Sequence, residues 1–207
     1  MRRLLGFLGI GALVLAGALL FGWWQADGPG SNRAAATRPL SLEAMEFTLV
    51  DQDSKTVGPD DLAGRPSLVF FGFTHCPDVC PTTLSEISEW LDALGPKADA
   101  LNAVFITVDP ERDDVAAMAE YVSYFHPAIK GWTGTPEQIA MAAESFRVNY
   151  ERVPAGDGDY TMNHTAGVFL FDASGRHRSV IDPHEPREFA VPKIRRILQD
   201  DEEGTER

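Results

Sequence analysis

Pro81 stands directly after the second of the chain's two cysteines, in Cys76-Pro77-Asp78-Val79-Cys80-Pro81, and it limits what this segment can become. Inside a helix, Pro81 would clash with the carbonyl four residues earlier, that of Pro77. Cys76 to Cys80 therefore cannot be helix interior. Pro81 is acceptable as a first helical residue, and Thr83 with Glu86 supplies a capping-box pattern, so a helix is expected from about Pro81 with Cys80 at or just before its start. The residues ahead of the cysteines, Ser67 to Phe73, form an unbroken apolar run of buried-strand type. Both thiols thus fall between a strand and a helix N-terminus, whose partial positive charge stabilises thiolate.

A disulfide between them would close a very short loop and constrain the unfolded chain little, so a purely structural staple is a poor explanation of the pair. Two chemistries stay open. The thiols can cycle as a redox pair, or two thiolates can converge on a soft ion such as Cu(I) or Zn(II), with an imidazole as third donor. His75 adjoins Cys76 and is expected to point the other way. His126 precedes Pro127 at a helix end, and His177 and His184 fall in polar, solvated stretches. His164 follows the loop Ala155 to Asp159 and stands just before the strand Gly167 to Phe171, which suits either a rigidly held ligand or a hydrogen-bonded buried histidine.

The N-terminus opens with Arg2 and Arg3 and continues uncharged from Leu4 to Trp24, about the ~20 residues a helix needs to cross a bilayer. Trp23 and Trp24 sit where an interfacial belt falls, and the two arginines hold the short tail in the cytoplasm. The small-residue run Ala34-Ala35-Ala36 resembles a signal cleavage site but lies too far beyond the apolar run, so an uncleaved anchor is expected. The simplest reading is a single-pass protein of the bacterial inner membrane with its C-terminal domain in the periplasm. Thiols in that oxidising compartment stay reduced only if a reductant or a metal keeps them so. A net charge of −13 disfavours nucleic acid as a partner.

The domain organisation follows: anchor 1–24, a Gly-, Ala-, Ser- and Pro-containing linker 25–39, one domain 40–200, and an acidic unstructured tail 201–207. Within the domain, short strands are expected at Phe47–Val50 and Lys55–Val57, and a buried strand at Ala103–Val108. Helices are expected around Ile87 to Leu94, over Asp113–Tyr124, from Thr135-Pro136-Glu137-Gln138 onward, and over Glu188–Leu198. Val168–Phe171 and Ser179–Ile181 read as a hairpin. This order describes an α/β sandwich with a mixed sheet.

Three segments carry a family resemblance: Phe71-Gly72-Phe73-Thr74-His75-Cys76-Pro77-Asp78-Val79-Cys80-Pro81, then Thr107-Val108-Asp109-Pro110-Glu111-Arg112-Asp113, then Asp159-Tyr160 leading to His164-Thr165. They resemble the signatures of the SCO/SenC family of membrane-anchored, thioredoxin-like proteins, over about Phe47 to Leu198. The resemblance implies a thioredoxin-like fold in which the loop before His164 folds back over the cysteines. It implies Cys76, Cys80 and His164 as ligands for Cu(I) or Cu(II), with Cys76 and Cys80 also able to act as a redox pair. The partner it implies is subunit II of cytochrome c oxidase, whose dinuclear copper centre receives copper or whose cysteines are kept reduced. Asp109 is implied as support for the site or its loop, and it serves equally as a turn former before Pro110. Asn163 stands where many relatives carry Asp, and Trp132 where an aliphatic residue is usual.

Overall fold

The computed structural model describes residues 15–22, 39–156 and 158–205. Most of the expected anchor and linker lies outside them. Residues 15–22 are helical with Leu15, Leu19, Leu20 and Phe21 exposed, and among the described residues no helix is long and apolar enough to cross a membrane. The chain divides into two compact units, Met1–Pro39 and Leu40–Arg207.

The second unit is built on β1 (Leu49–Asp51), β2 (Thr56–Val57), β3 (Ser67–Gly72), α1 (Val79–Leu94), β4 (Asn102–Thr107) and α2 (Val115–Val122). It continues with β5 (Ile129–Thr133), α3 (Pro136–Phe146), β6 (Tyr150–Gly156), β7 (Asp159–His164), β8 (Val168–Phe171), β9 (His177–Ile181) and α4 (Arg187–Thr205). Seven strands form one mixed sheet in the order β2-β1-β5-β4-β3-β8-β9, parallel at β3–β4–β5 and antiparallel elsewhere. This is the expected thioredoxin-like α/β sandwich. β6 and β7 form a separate two-stranded sheet.

All six residues of β3 are buried, as an unbroken apolar run at a sheet centre requires. Its alternating side chains serve opposite layers. Phe71 meets Phe146 of α3 edge-on, and Phe146 also contacts Phe169 and Phe171, while Phe70 packs against Phe105 of β4. Burying each such ring stabilises the fold by about 1.5–3 kcal/mol, which explains why one aromatic cluster ties β3, β8 and α3 together. α1 packs against α4.

Local signals set most boundaries. Thr135 accepts from Gln138 N while the Gln138 side chain accepts from Thr135 N, the capping box read from the sequence. Gly95 ends α1 at φ +56°, a region open to glycine at little cost. Four expectations need correction. α1 begins at Val79, two residues before Pro81, with Asp78 as N-cap; Pro81 still lies in the first turn, where no carbonyl of the helix stands four residues behind it. The Thr83–Glu86 capping box does not form, and the Thr83 hydroxyl is buried without a partner. The expected loop before His164 is the β6–β7 hairpin. At the C-terminus, helical backbone continues to Thr205, across most of the expected unstructured tail.

Candidate metal centre

In the parallel pair β3–β4, Gly72 and Thr107 are in register, so the loops leaving both strands emerge side by side at one sheet edge. Open α/β sheets place their ligands at that edge. The first loop, Phe73 to Asp78, carries Cys76; the second, Val108 to Asp114, carries Asp109, Arg112 and Asp113.

Cys80 lies in the first turn of α1 and is fully buried. Gly72 makes that position available: a Cβ there would stand 2.8 Å from Cys80 Sγ and 2.7 Å from Phe105 Cε2. Cys76 is half-exposed in the loop above. Its Sγ accepts from Cys80 N at 3.4 Å, one of the helix-start amides that lack an intrahelical partner. Both cysteines are free. The Cys80 thiol donates to Cys76 and holds the Cys76 pKa far below the usual thiol range, at about 3, against an opposing desolvation, with the helix-start amides adding to the effect. The same bond, together with burial, pushes Cys80 well up. The helix end was expected to favour thiolate at both sulfurs; it does so at Cys76 only, because the pair shares one proton.

His164 ends β7 and completes the cluster. Its Nε2 is 3.5 Å from Cys80 Sγ, and its ring meets Phe73 edge-on at 5.9 Å and Phe70 at 6.3 Å. Its Nδ1 lies 2.9 Å from the Thr165 carbonyl. A carbonyl only accepts, so in the neutral ring Nδ1 carries the proton and Nε2 turns its lone pair toward the sulfurs. That is the tautomer a metal-ligating histidine needs.

The donor chemistry fits a soft first-row ion. With bonds of about 2.3 Å to sulfur and about 2.0 Å to nitrogen, two ligands at a tetrahedral angle stand about 3.5 Å apart, the Cys80–His164 spacing. Thiolate and imidazole together favour copper or zinc. Among the described residues no set of three or more His, Cys, Asp or Glu side chains forms a finished metal cage. Cys76, Cys80 and His164 are neighbours; to hold an ion they would have to close around it and give up the shared thiol proton.

The remaining sequence candidates lie elsewhere. The exposed ring of His75 turns to Thr74 Oγ1 and Asp113. His126 accepts from Ala128 N and lies 3.8 Å from Asp92, and His184 is exposed in a turn at φ +65°. His177, expected as solvated surface, is half-buried against Phe169 and Phe171. Asn163 is exposed and pairs with Glu151 across the hairpin, on the opposite pleat from His164. Trp132 is buried on β5.

Asp109 is buried and fixes structure around the site. It accepts from Arg112 Nε at 2.5 Å and from the Tyr160 hydroxyl at 2.8 Å. Asp113 was not singled out by sequence reasoning: fully buried, it accepts from Thr74 N at 3.0 Å, Thr74 Oγ1 at 2.5 Å and Thr107 Oγ1 at 2.6 Å. Arg112, quoted within the second family segment, was given no role of its own; its guanidinium lies 3.8 Å over the Tyr160 ring. Charged residues crowded into one short loop, Asp109 to Asp114, were the available signal.

A family model described as SCO1/SenC matches residues 35–199. The chain belongs to the SCO1/SenC family. Among its SCO1/SenC relatives, the mitochondrial SCO2 homologue of Mus musculus is 39% identical over 170 residues, covering 81% of this chain and 67% of that protein. An SCO2-like protein of Rickettsia conorii is 40% identical over 134 residues, covering 64% of this chain and 65% of the relative, so the chain spans about two thirds of the length of these proteins. The solved structure of Bradyrhizobium japonicum ScoI with copper bound is 50% identical, with a TM-score of 0.69, covering 73% of this chain and 96% of that one. Yeast Sco1 with copper bound is 33% identical, with a TM-score of 0.68, covering 74% and 86%. A more distant structure, BsSco, is described as having a disulfide switch and as a member of the Sco family of cytochrome c oxidase assembly proteins. At 22% identity and a TM-score of 0.60 it supports the fold alone.

Proposed function

We propose that this protein binds one copper ion through Cys76, Cys80 and His164 and delivers it to the dinuclear copper centre in subunit II of cytochrome c oxidase during assembly. The observation that carries the reading is the 3.5 Å approach of His164 Nε2 to Cys80 Sγ, with Nδ1 committed to the Thr165 carbonyl. A bare imidazole nitrogen beside the buried sulfur supplies the third donor that a soft-metal site of this kind requires. The copper held by SCO1/SenC relatives of 50% and 33% identity supports the same choice of ion. Copper is cargo in this account: a three-donor site leaves a coordination position through which an acceptor's ligands enter, and transfer proceeds by ligand exchange without a change in oxidation state. The uncharged stretch Leu4 to Trp24 supports a single-pass anchor in the bacterial inner membrane with the domain in the periplasm.

A second reading rests on the asymmetry of the thiols. Cys76 as thiolate can attack a disulfide of subunit II, and Cys80 can then attack the mixed disulfide, so that two electrons pass to the partner and Cys76–Cys80 becomes oxidised.

The full-length chain, reduced and loaded with Cu(I), separates the two. Copper retained at one per chain by the wild type and lost in His164→Ala supports the chaperone. A wild type that retains no copper yet reduces a subunit II disulfide overturns it in favour of the oxidoreductase.

A further inference from the structure

His164 is carried by a hairpin outside the main sheet, so something other than strand pairing must hold it over the cysteines. Three groups at the hairpin's far end reach the loop after β4. The Tyr160 hydroxyl donates to Asp109 Oδ1 at 2.8 Å, Arg112 Nη1 donates to the Tyr160 carbonyl at 3.1 Å, and Arg152 Nη1 donates to Glu111 Oε2 at 2.9 Å. The Tyr160 ring also takes both guanidinium groups, Arg112 at 3.8 Å and Arg152 at 3.5 Å from its centroid. Arg112 is bound in turn to Asp109, and its Nη2 is buried with no partner. Four residues after Asp109, Asp113 of the same loop fastens Thr74, two residues before Cys76. One short segment, Asp109 to Asp113, therefore anchors both the cysteine loop and the histidine hairpin.

We infer that Tyr160, Arg112 and Asp109 form a latch that positions His164 against Cys80, so that the hairpin's closure sets whether the site offers three donors or two. None of the three supplies a donor to the copper; they act through His164. Closed, the latch completes the Cys76–Cys80–His164 set. Open, it carries the imidazole away with β7 and leaves a weaker two-thiolate site, the state from which copper is released. The inference rests on the copper reading for its consequence, while the positioning of the hairpin is a property of the metal-free protein.

The test uses the full-length chain as wild type, Tyr160→Phe, His164→Ala and the double variant, each reduced, loaded with Cu(I) and challenged with a chromogenic Cu(I) chelator. Tyr160→Phe should weaken copper retention by about 10–100-fold, the range for groups that orient metal ligands. In the His164→Ala background the same substitution should change it by less than about twofold, because the latch has no ligand left to position. Arg112→Lys, which keeps the charge but loses the fork, should show the same dependence on His164. Equal losses in both backgrounds, or no loss in the wild-type background, overturn the latch. Amide hydrogen exchange on the metal-free proteins provides the separate arm: exchange should quicken in residues 150–164 of Tyr160→Phe and nowhere else. A wild type that holds no copper while this exchange quickens refutes the copper reading and sustains the latch; unchanged exchange refutes the latch whatever the copper result.

Discussion

His164 reaches Cys80 across 84 positions of sequence, Nε2 to Sγ at 3.5 Å, and the contact joins the end of the β6–β7 hairpin to the first turn of α1. The sulfur is fixed by a helix start beneath it, whereas the imidazole hangs on a hairpin. The two halves of the site therefore have different structural causes.

Cys76 should be the reactive thiol. With its pKa held down to about 3, chiefly by the Cys80 thiol, it stays thiolate until the pH falls toward that value. Alkylation of the reduced, metal-free protein by iodoacetamide, followed by mass spectrometry, should modify Cys76 first, at a rate nearly flat between pH 5 and 8. Cys80→Ala removes the donor that is the largest cause of the shift, and the rate should then climb with pH.

Gly72→Ala should damage fold and site together. The new Cβ would meet Cys80 Sγ and the Phe105 ring at under 3.0 Å, so one of them must move. A loss of about 1–3 kcal/mol in chemical denaturation is expected, as for other overpacked cores, together with weaker copper retention.

Asp113→Asn keeps the shape but replaces an acceptor-only carboxylate with a group that must aim an NH₂ at existing donors. Thr74 and Thr107 lose acceptors in a buried site. The urea midpoint should fall by the equivalent of about 1–3 kcal/mol.

His177 should make stability depend on pH. Burial beside Phe169 and Phe171 lowers its pKa below the ordinary 6.5, so the folded chain prefers the neutral ring while the unfolded chain takes up a proton near 6.5. Its contribution is fully present above pH 6.5 and is lost as the pH falls from there toward the folded value. Denaturant melts at pH 7.5 and 5.5 should differ by less in His177→Gln than in the wild type.

Much of this architecture was legible in the residues. The apolar run Ser67 to Phe73, the capping box at Thr135–Gln138 and the turn at Asp172–Gly175 each encode their element through local chemistry, and each formed. Pro81 correctly excluded the cysteines from a helix interior, although the helix start it marked lies two residues earlier. β6 was not legible, because Tyr150-Glu151-Arg152-Val153 is half-polar with mostly exposed side chains, and the strand is defined by its pairing with β7 rather than by a buried apolar face of its own. For the same reason spacing could not bring His164 to the cysteines; only the resemblance suggested it. Gly72 and Asp113 act through packing and buried hydrogen bonds, which leave no pattern in a single sequence.

X-ray absorption at the copper edge of the Cu(I)-loaded full-length chain tests the central claim most directly. The account predicts two sulfur scatterers and one imidazole nitrogen per copper, with the imidazole signal lost in His164→Ala. A spectrum of sulfur ligands alone, or one that His164→Ala leaves unchanged, would contradict it.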